Sequence, residues 1–201
     1  MYIPNNNLTT DKDEIVAFMK QFSFATIVTA KDSFPIATHL PFLVTRQDDI
    51  VTLTSHFAKA NEQWQHIETV ESLIIFSQPH AYISTKNYDS SLNVPTWNYI
   101  SVHAYGTASI ITDPARNIQI LEATIDIYEK SYRQDWDTFP EKYKLNMIKG
   151  IVSFQIEVRD LQAKKKLSQN RTFTEKQKIV DTLSMSNDSN EQLIAAFMKQ
   201  L

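Results

Sequence analysis

The sequence predicts a mainly β fold of the α+β class, an antiparallel, closed or nearly closed barrel with helices on its flanks. Two observations carry this. Strand-like runs of apolar and β-branched residues recur at residues 24–30, 35–45, 50–55, 72–76, 95–112 and 151–161. No crossover helix separates the first three, so a doubly wound parallel sheet fits worse.

The elements follow in order. Asp11 with Glu14 three residues later opens a helix in which Ile15, Phe18, Met19 and Phe22 share one face. The strand at 24–30 turns through residues 31–33 into the run at 35–45, where Ile36, Thr38, Leu40 and Phe42 alternate with Ala37, His39, Pro41 and Leu43. Pro41 marks an edge, a bulge or an exit. The third strand leads into residues 59–67, which read as a short helix, and residues 85–93 are polar and irregular. The longest strand signal follows, at 95–112. Asp113-Pro114 starts a helix reaching about Tyr132, Pro140 starts another, and amphipathic helices cover residues 174–185 and 190–201.

Composition narrows the chemistry. The chain has 201 residues, enough for one domain with a substantial core, and no cysteine, which excludes disulfides, thiolate metal sites and cysteine nucleophiles. Five scattered histidines form no helical pair, so no metal site is expected. Only Gly106 and Gly150 occur, too few for a glycine-rich phosphate loop. A net charge of −3 offers no basic field for nucleic acid, whose binding is therefore unsupported by charge. The N-terminal residues lack signal-peptide order and no run is long enough for a membrane span, so a cytoplasmic protein without membrane contact is expected.

Three stretches could carry chemistry. In VPTWNY, strand alternation puts Trp97, Tyr99, Ser101, His103 and Tyr105 on one face and Thr96, Asn98, Ile100, Val102 and Ala104 on the other. The aromatic face suits either a covering helix or a partner or planar ligand. Around Thr54, Ser55 and His56, feeding the helix expected from Lys59, two hydroxyls, an imidazole and an ammonium would gather as an anion site without glycine. In AKKKLSQNR, Lys164 and Lys166 share a strand face ahead of Arg171, and the amides of Gln169 and Asn170 can read a heterocycle edge.

Taken in order, MYIP at Met1, FATIVT at Phe24, ATHLPF at Ala37, SHFAKANEQW at Ser55, PHAYIS at Pro79, VPTWNY at Val94, GIVSFQIEV at Gly150 and KLSQNR at Lys166 resemble the PaiB family of transcriptional regulators. The resemblance spans nearly the whole chain. It implies an antiparallel Greek-key split β-barrel of the FMN-binding type over residues 1–165, and a C-terminal helical extension, 166–201, packed on the barrel or on a dimer partner. A homodimer with FMN at the subunit interface is implied as well. Thr54, Ser55, His56, Lys59 and Asn61 would hold the phosphate, and Thr38, His39 and Leu40 would run along the isoalloxazine. Trp97, Asn98 and Tyr99, with Gln169 and Arg171, would complete the cofactor site.

The chain departs from the family pattern at Ser55, where relatives tend to have glycine, and at Glu62, where they have proline. Gln78, Thr85 and Asn87 also stand in place of glycine, proline and tryptophan. A carboxylate at Glu62 should weaken the anion site if it points inward. The family implies negative regulation of sporulation and protease synthesis. An FMN-dependent oxidoreductase or flavin reductase, and a haem-binding split barrel, are the alternative readings.

Overall fold

The computed structural model covers residues 1–201 and contains ten strands and six α-helices. The strands are β1 (Leu8–Thr9), β2 (Phe24–Lys31), β3 (Phe34–Pro41), β4 (Leu43–Gln47), β5 (Ile50–Ala58), β6 (Glu71–Phe76), β7 (His80–Ile83), β8 (Thr96–Ile110), β9 (Ile151–Glu157) and β10 (Asp160–Lys166). The helices are α1 (Lys12–Gln21), α2 (Pro114–Tyr128), α3 (Arg133–Thr138), α4 (Glu141–Ile148), α5 (Phe173–Ser184) and α6 (Ser189–Met198). The chain divides into two compact units, one of Met1–Ile15, Phe76–His103 and Gln162–Leu201, the other of Val16–Ile75 and Ala104–Leu161.

The second unit follows the strand order β3-β2-β6-β8-β9-β5-β4. All its registered pairs are antiparallel, as the absence of crossover helices predicts. The β2–β3 hairpin closes on Asp32 and Ser33, both at positive φ (51° and 65°), the twist that a two-residue hairpin loop requires. Its core is aromatic. Phe57 stacks on Phe154 at 4.9 Å and Phe42 meets the same ring edge-on at 6.2 Å, with all three at most 1% exposed. Helix α2 starts where the sequence places it, with the Asp113 carboxylate accepting from the Ala115 and Arg116 N–H groups.

In the first unit β1 pairs with β10, and β7 pairs with β8 through His80↔Tyr99 and Tyr82↔Trp97. Helix α5 carries a capping box between Thr172 and Glu175 and packs on α6, and Ile179, Leu183 and Ile194 of the two helices are buried.

Four local expectations change. The helix expected over 59–67 is replaced by strand and turn: β5 continues through His56, Phe57 and Ala58, paired with Ser153, Val152 and Ile151, because Phe57 is a core residue that a helical start would withdraw. Only a 3-10 turn, Glu62–Gln65, follows. The run at 35–45 breaks after Pro41, where Phe42 leaves the ladder to enter the core and its N–H donates to Ser23 O at 2.9 Å. The run at 151–161 splits at Val158 and Arg159, whose N–H groups donate to Val51 O and Tyr105 O. Strand β7 was not anticipated. No helix is long and apolar enough to cross a membrane.

Candidate functional site

The predicted site residues fall into two clusters, one in each unit. In the second unit Thr38 and Asn61 are brought together by a residue that sequence reading missed, Gln63. The Thr38 hydroxyl donates to Gln63 Oε1 at 2.6 Å and accepts from Asn61 Nδ2 at 2.9 Å, while Asn61 Oδ1 accepts from the Gln63 N–H at 3.0 Å. Gln63 Nε2 then donates to Thr29 Oγ1 at 3.1 Å and to Ile36 O at 3.2 Å, pinning the turn after β5 onto β2 and β3. No spacing rule marks a glutamine for this task. Leu40 shares the partly buried side of β3 with Thr38, whereas His39 lies on the exposed side, stacked on Phe24 at 6.3 Å.

The end of β5 sorts its polar groups by alternation. Ser55 faces the core, 3% exposed, and its hydroxyl donates to Pro41 O at 2.7 Å, which ties β5 to the point where β3 ends. Thr54 and His56 occupy the other side of the strand. Lys59 follows on an anchored backbone, its N–H donating to Gly150 O at 2.8 Å and its carbonyl accepting from Trp64 Nε1 at 3.1 Å. The ammonium rests 4.2 Å above the Trp64 ring. Glu62 is exposed and makes no ion pair with Lys59, so it leaves the charge of this cluster intact.

Burial lowers the pKa of His56 below 6.5, keeping the imidazole neutral at neutral pH. A depressed folded-state pKa contributes stability that is present above 6.5 and lost as pH falls through the folded value. The thermal midpoint should therefore drop between pH 7.5 and 5 more steeply in the wild type than in His56→Gln. Equal slopes in a scanning experiment would remove His56 from the account.

In the first unit the opening of β8 has the predicted faces. Asn98 is fully buried, and Trp97 is 52% exposed. Trp97 meets Tyr82 and His80 edge-on, each at 5.7 Å, forming an aromatic ladder open to a partner or a planar ligand. Asn98 and Ser168 exchange hydrogen bonds at 3.0 and 3.1 Å, and this holds Ser168 in a left-handed conformation (φ 58°) after β10. Tyr99 lies under the Lys164 ammonium at 5.1 Å. Gln169 closes its own turn, accepting from the Leu167 N–H at 2.8 Å and donating to Lys165 O, so its amide is already engaged. Arg171 stacks on Tyr88 at 3.7 Å and donates to Asn93 Oδ1 at 2.8 Å. A cleft of about 290 Å³ opens among Asn6, Thr96, Asn98, Lys166, Gln169 and Arg171.

Two departures from the family pattern in the first unit have structural uses. Thr85 and Asn87 bound a 3-10 turn capped by Ser84, and the buried Asn87 accepts from Thr182 Oγ1 at 2.9 Å, docking the turn on α5.

An antiparallel sheet flanked by helices in this order is the fold of the split-barrel class. Two solved structures share the fold. The FAD and heme binding protein from Mycobacterium smegmatis matches with a TM-score of 0.62 at 14% identity, over 80% of this chain and 73% of the other. The flavocytochrome Anf3 from Azotobacter vinelandii matches with a TM-score of 0.62 at 19% identity, over 82% and 69%. A family model described as "Putative FMN-binding domain" matches residues 1–160. Protease synthase and sporulation protein PAI 2 of Bacillus subtilis is 41% identical over 203 residues, 99% of this chain and 97% of the relative. The chain belongs to the PaiB family.

The residues present suit a flavin nucleotide. Taken unit by unit, the second offers a cation of the kind a phosphate needs, Lys59, and the first offers the exposed aromatic surface a flat heterocycle needs, Tyr82 and Trp97.

Proposed function

We propose that the protein is a cytoplasmic, homodimeric FMN-binding regulator, of the kind that restrains sporulation and protease synthesis. The observation that carries the flavin reading is the uncovered aromatic ladder of Tyr82 and Trp97, 47% and 52% exposed, on a strand held rigid beneath by buried Asn98. In the dimer, Lys59, with Thr54 and His56, holds the phosphate. Thr38 and Leu40, with His39 at the exposed side, border the ring system, and the partner protomer contributes the β8 residues around Trp97. Ser55 and Asn61 serve that site by fixing the backbone, through Pro41 O and Gln63 respectively. Bound flavin supplies redox chemistry, and the chain positions it and shields it from water. The name of the Bacillus relative supports the regulatory role. With a net charge of −3, regulation acts through a protein partner more readily than through direct DNA contact.

The test is an FMN titration of flavin-free protein, followed by flavin fluorescence. Lys59→Ala should weaken binding by about tenfold or more, the loss of one charge-assisted phosphate contact. Failure of the wild type to bind FMN would overturn the reading, and unchanged affinity in the variant would remove the phosphate role of Lys59.

A further inference from the structure

In the first unit Lys164, Lys166 and Arg171 have no carboxylate partner. Lys164 is 7% exposed, and its ammonium meets only Tyr2 O at 3.2 Å and the rings of Tyr2 and Tyr99. Lys166, two residues on and on the same face of β10, donates to Thr96 Oγ1. Arg171 spends one nitrogen on Asn93 and one face on Tyr88. The acids of this unit nearest in the hydrogen-bond network are already committed. Glu14 pairs with Lys165, Asp89 pairs with Lys178, and Glu175 accepts from the Thr172 and Asp89 N–H groups.

Buried cations in folded proteins are ordinarily paired, because desolvation of a lone ammonium is costly. Only Lys164 is buried here, with Lys166 and Arg171 half-buried; none of the three has a carboxylate partner, and each keeps unspent donors: an ammonium has three N–H groups and a guanidinium five. Lys166 and Arg171 both line the cleft of about 290 Å³, beside Asn6, Thr96 and Asn170. That volume holds a compact molecule. Burial and the neighbouring Lys164 charge lower the pKa of Lys166, against an opposing effect from Tyr99, which is the strain that an anion would relieve.

We propose that this cleft is a second binding site, for the oxyanion of a compact small molecule, a carboxylate or phosphate held by Lys166 and Arg171 and supported by Lys164. Lys164 and Lys166 belong to another element than the β5 cluster assigned to the FMN phosphate, while Asn98, Gln169 and Arg171 of the cleft are residues that the family resemblance also sets at the cofactor. Only its role, that of admitting an anionic substrate or effector, rests on the flavin-binding reading.

The experiment is calorimetric titration of the flavin-free full chain at low ionic strength, with inorganic phosphate and separately with benzoate, and thermal unfolding in the same buffers. Wild type should bind at least one of the two, and the bound anion should raise its Tm. Lys166→Met should weaken binding by about tenfold or more, and Lys166→Arg should retain most of it. The Tm of Lys166→Met without anion should equal or exceed that of the wild type, which shows that the fold survives. Absence of binding by the wild type and equal binding by Lys166→Met would each overturn the proposal. Equal binding by Lys166→Met would assign the anion to the FMN phosphate cluster. Failure of the flavin reading appears separately, as absent FMN binding, and leaves these arms readable.

Discussion

Gly106→Val is expected to destabilise the protein by about 3 kcal/mol or more, the range of overpacked cores with immovable neighbours. Gly106 sits within β8, where an added Cβ would lie 2.5 Å from Glu157 O and 2.6 Å from Ile156 Cγ2. Glu157 O is backbone and Ile156 is fully buried, so neither can yield cheaply. The glycine is needed for this close approach and not for an unusual backbone angle, since no glycine here has positive φ. Urea unfolding monitored by tryptophan fluorescence should show a lower midpoint at unchanged slope. A midpoint equal to that of the wild type would mean that β8 and β9 do not approach so closely.

Gln63→Ala is expected to cost about 3 kcal/mol, because it strands buried acceptors and opens a cavity together. Gln63 is 2% exposed and its side chain joins Thr38, Thr29 and the Ile36 carbonyl. Flavin binding gives an independent readout. With the side-chain bonds from this turn to β2 and β3 gone, Thr38 loses its acceptor and the turn its tether, so FMN affinity should fall although Gln63 is no part of the proposed phosphate cluster. Wild-type affinity in a folded Gln63→Ala protein would show that the hub is structural alone.

Much of the fold was legible because it rests on local periodicity. Period-2 alternation in residues 96–105 separated Asn98, Ile100, Val102 and Ala104 from the aromatic face of Trp97, and the structure buries those four while leaving Trp97 exposed. Asp113 with Pro114 marked the start of α2 correctly. The misreading at residues 59–67 has a definite cause. Polar text after His56 looks helical, but the decision was made by Phe57, whose partner Phe154 lies far along the chain. The same limit hid Gln63, whose acceptors lie on β2 and β3. It also hid the unpaired state of Lys164 and Lys166: the sequence showed a basic strand end, and only tertiary structure shows that no carboxylate reaches it.

The interleaving of the two units bears on how the protein emerges from a ribosome. The first unit is assembled from Met1–Ile15, Phe76–His103 and Gln162–Leu201, so β1 waits for β10, which is made some 150 residues later. During synthesis the Val16–Ile75 and Ala104–Leu161 segments can settle first, while Leu8, Ile83 and Ile100 remain without their final neighbours until the last helices are released. A chain stopped at residue 160, the end of the family match, would thus lack β10, α5 and α6 and leave the first unit unfinished and exposed to chaperones and proteases.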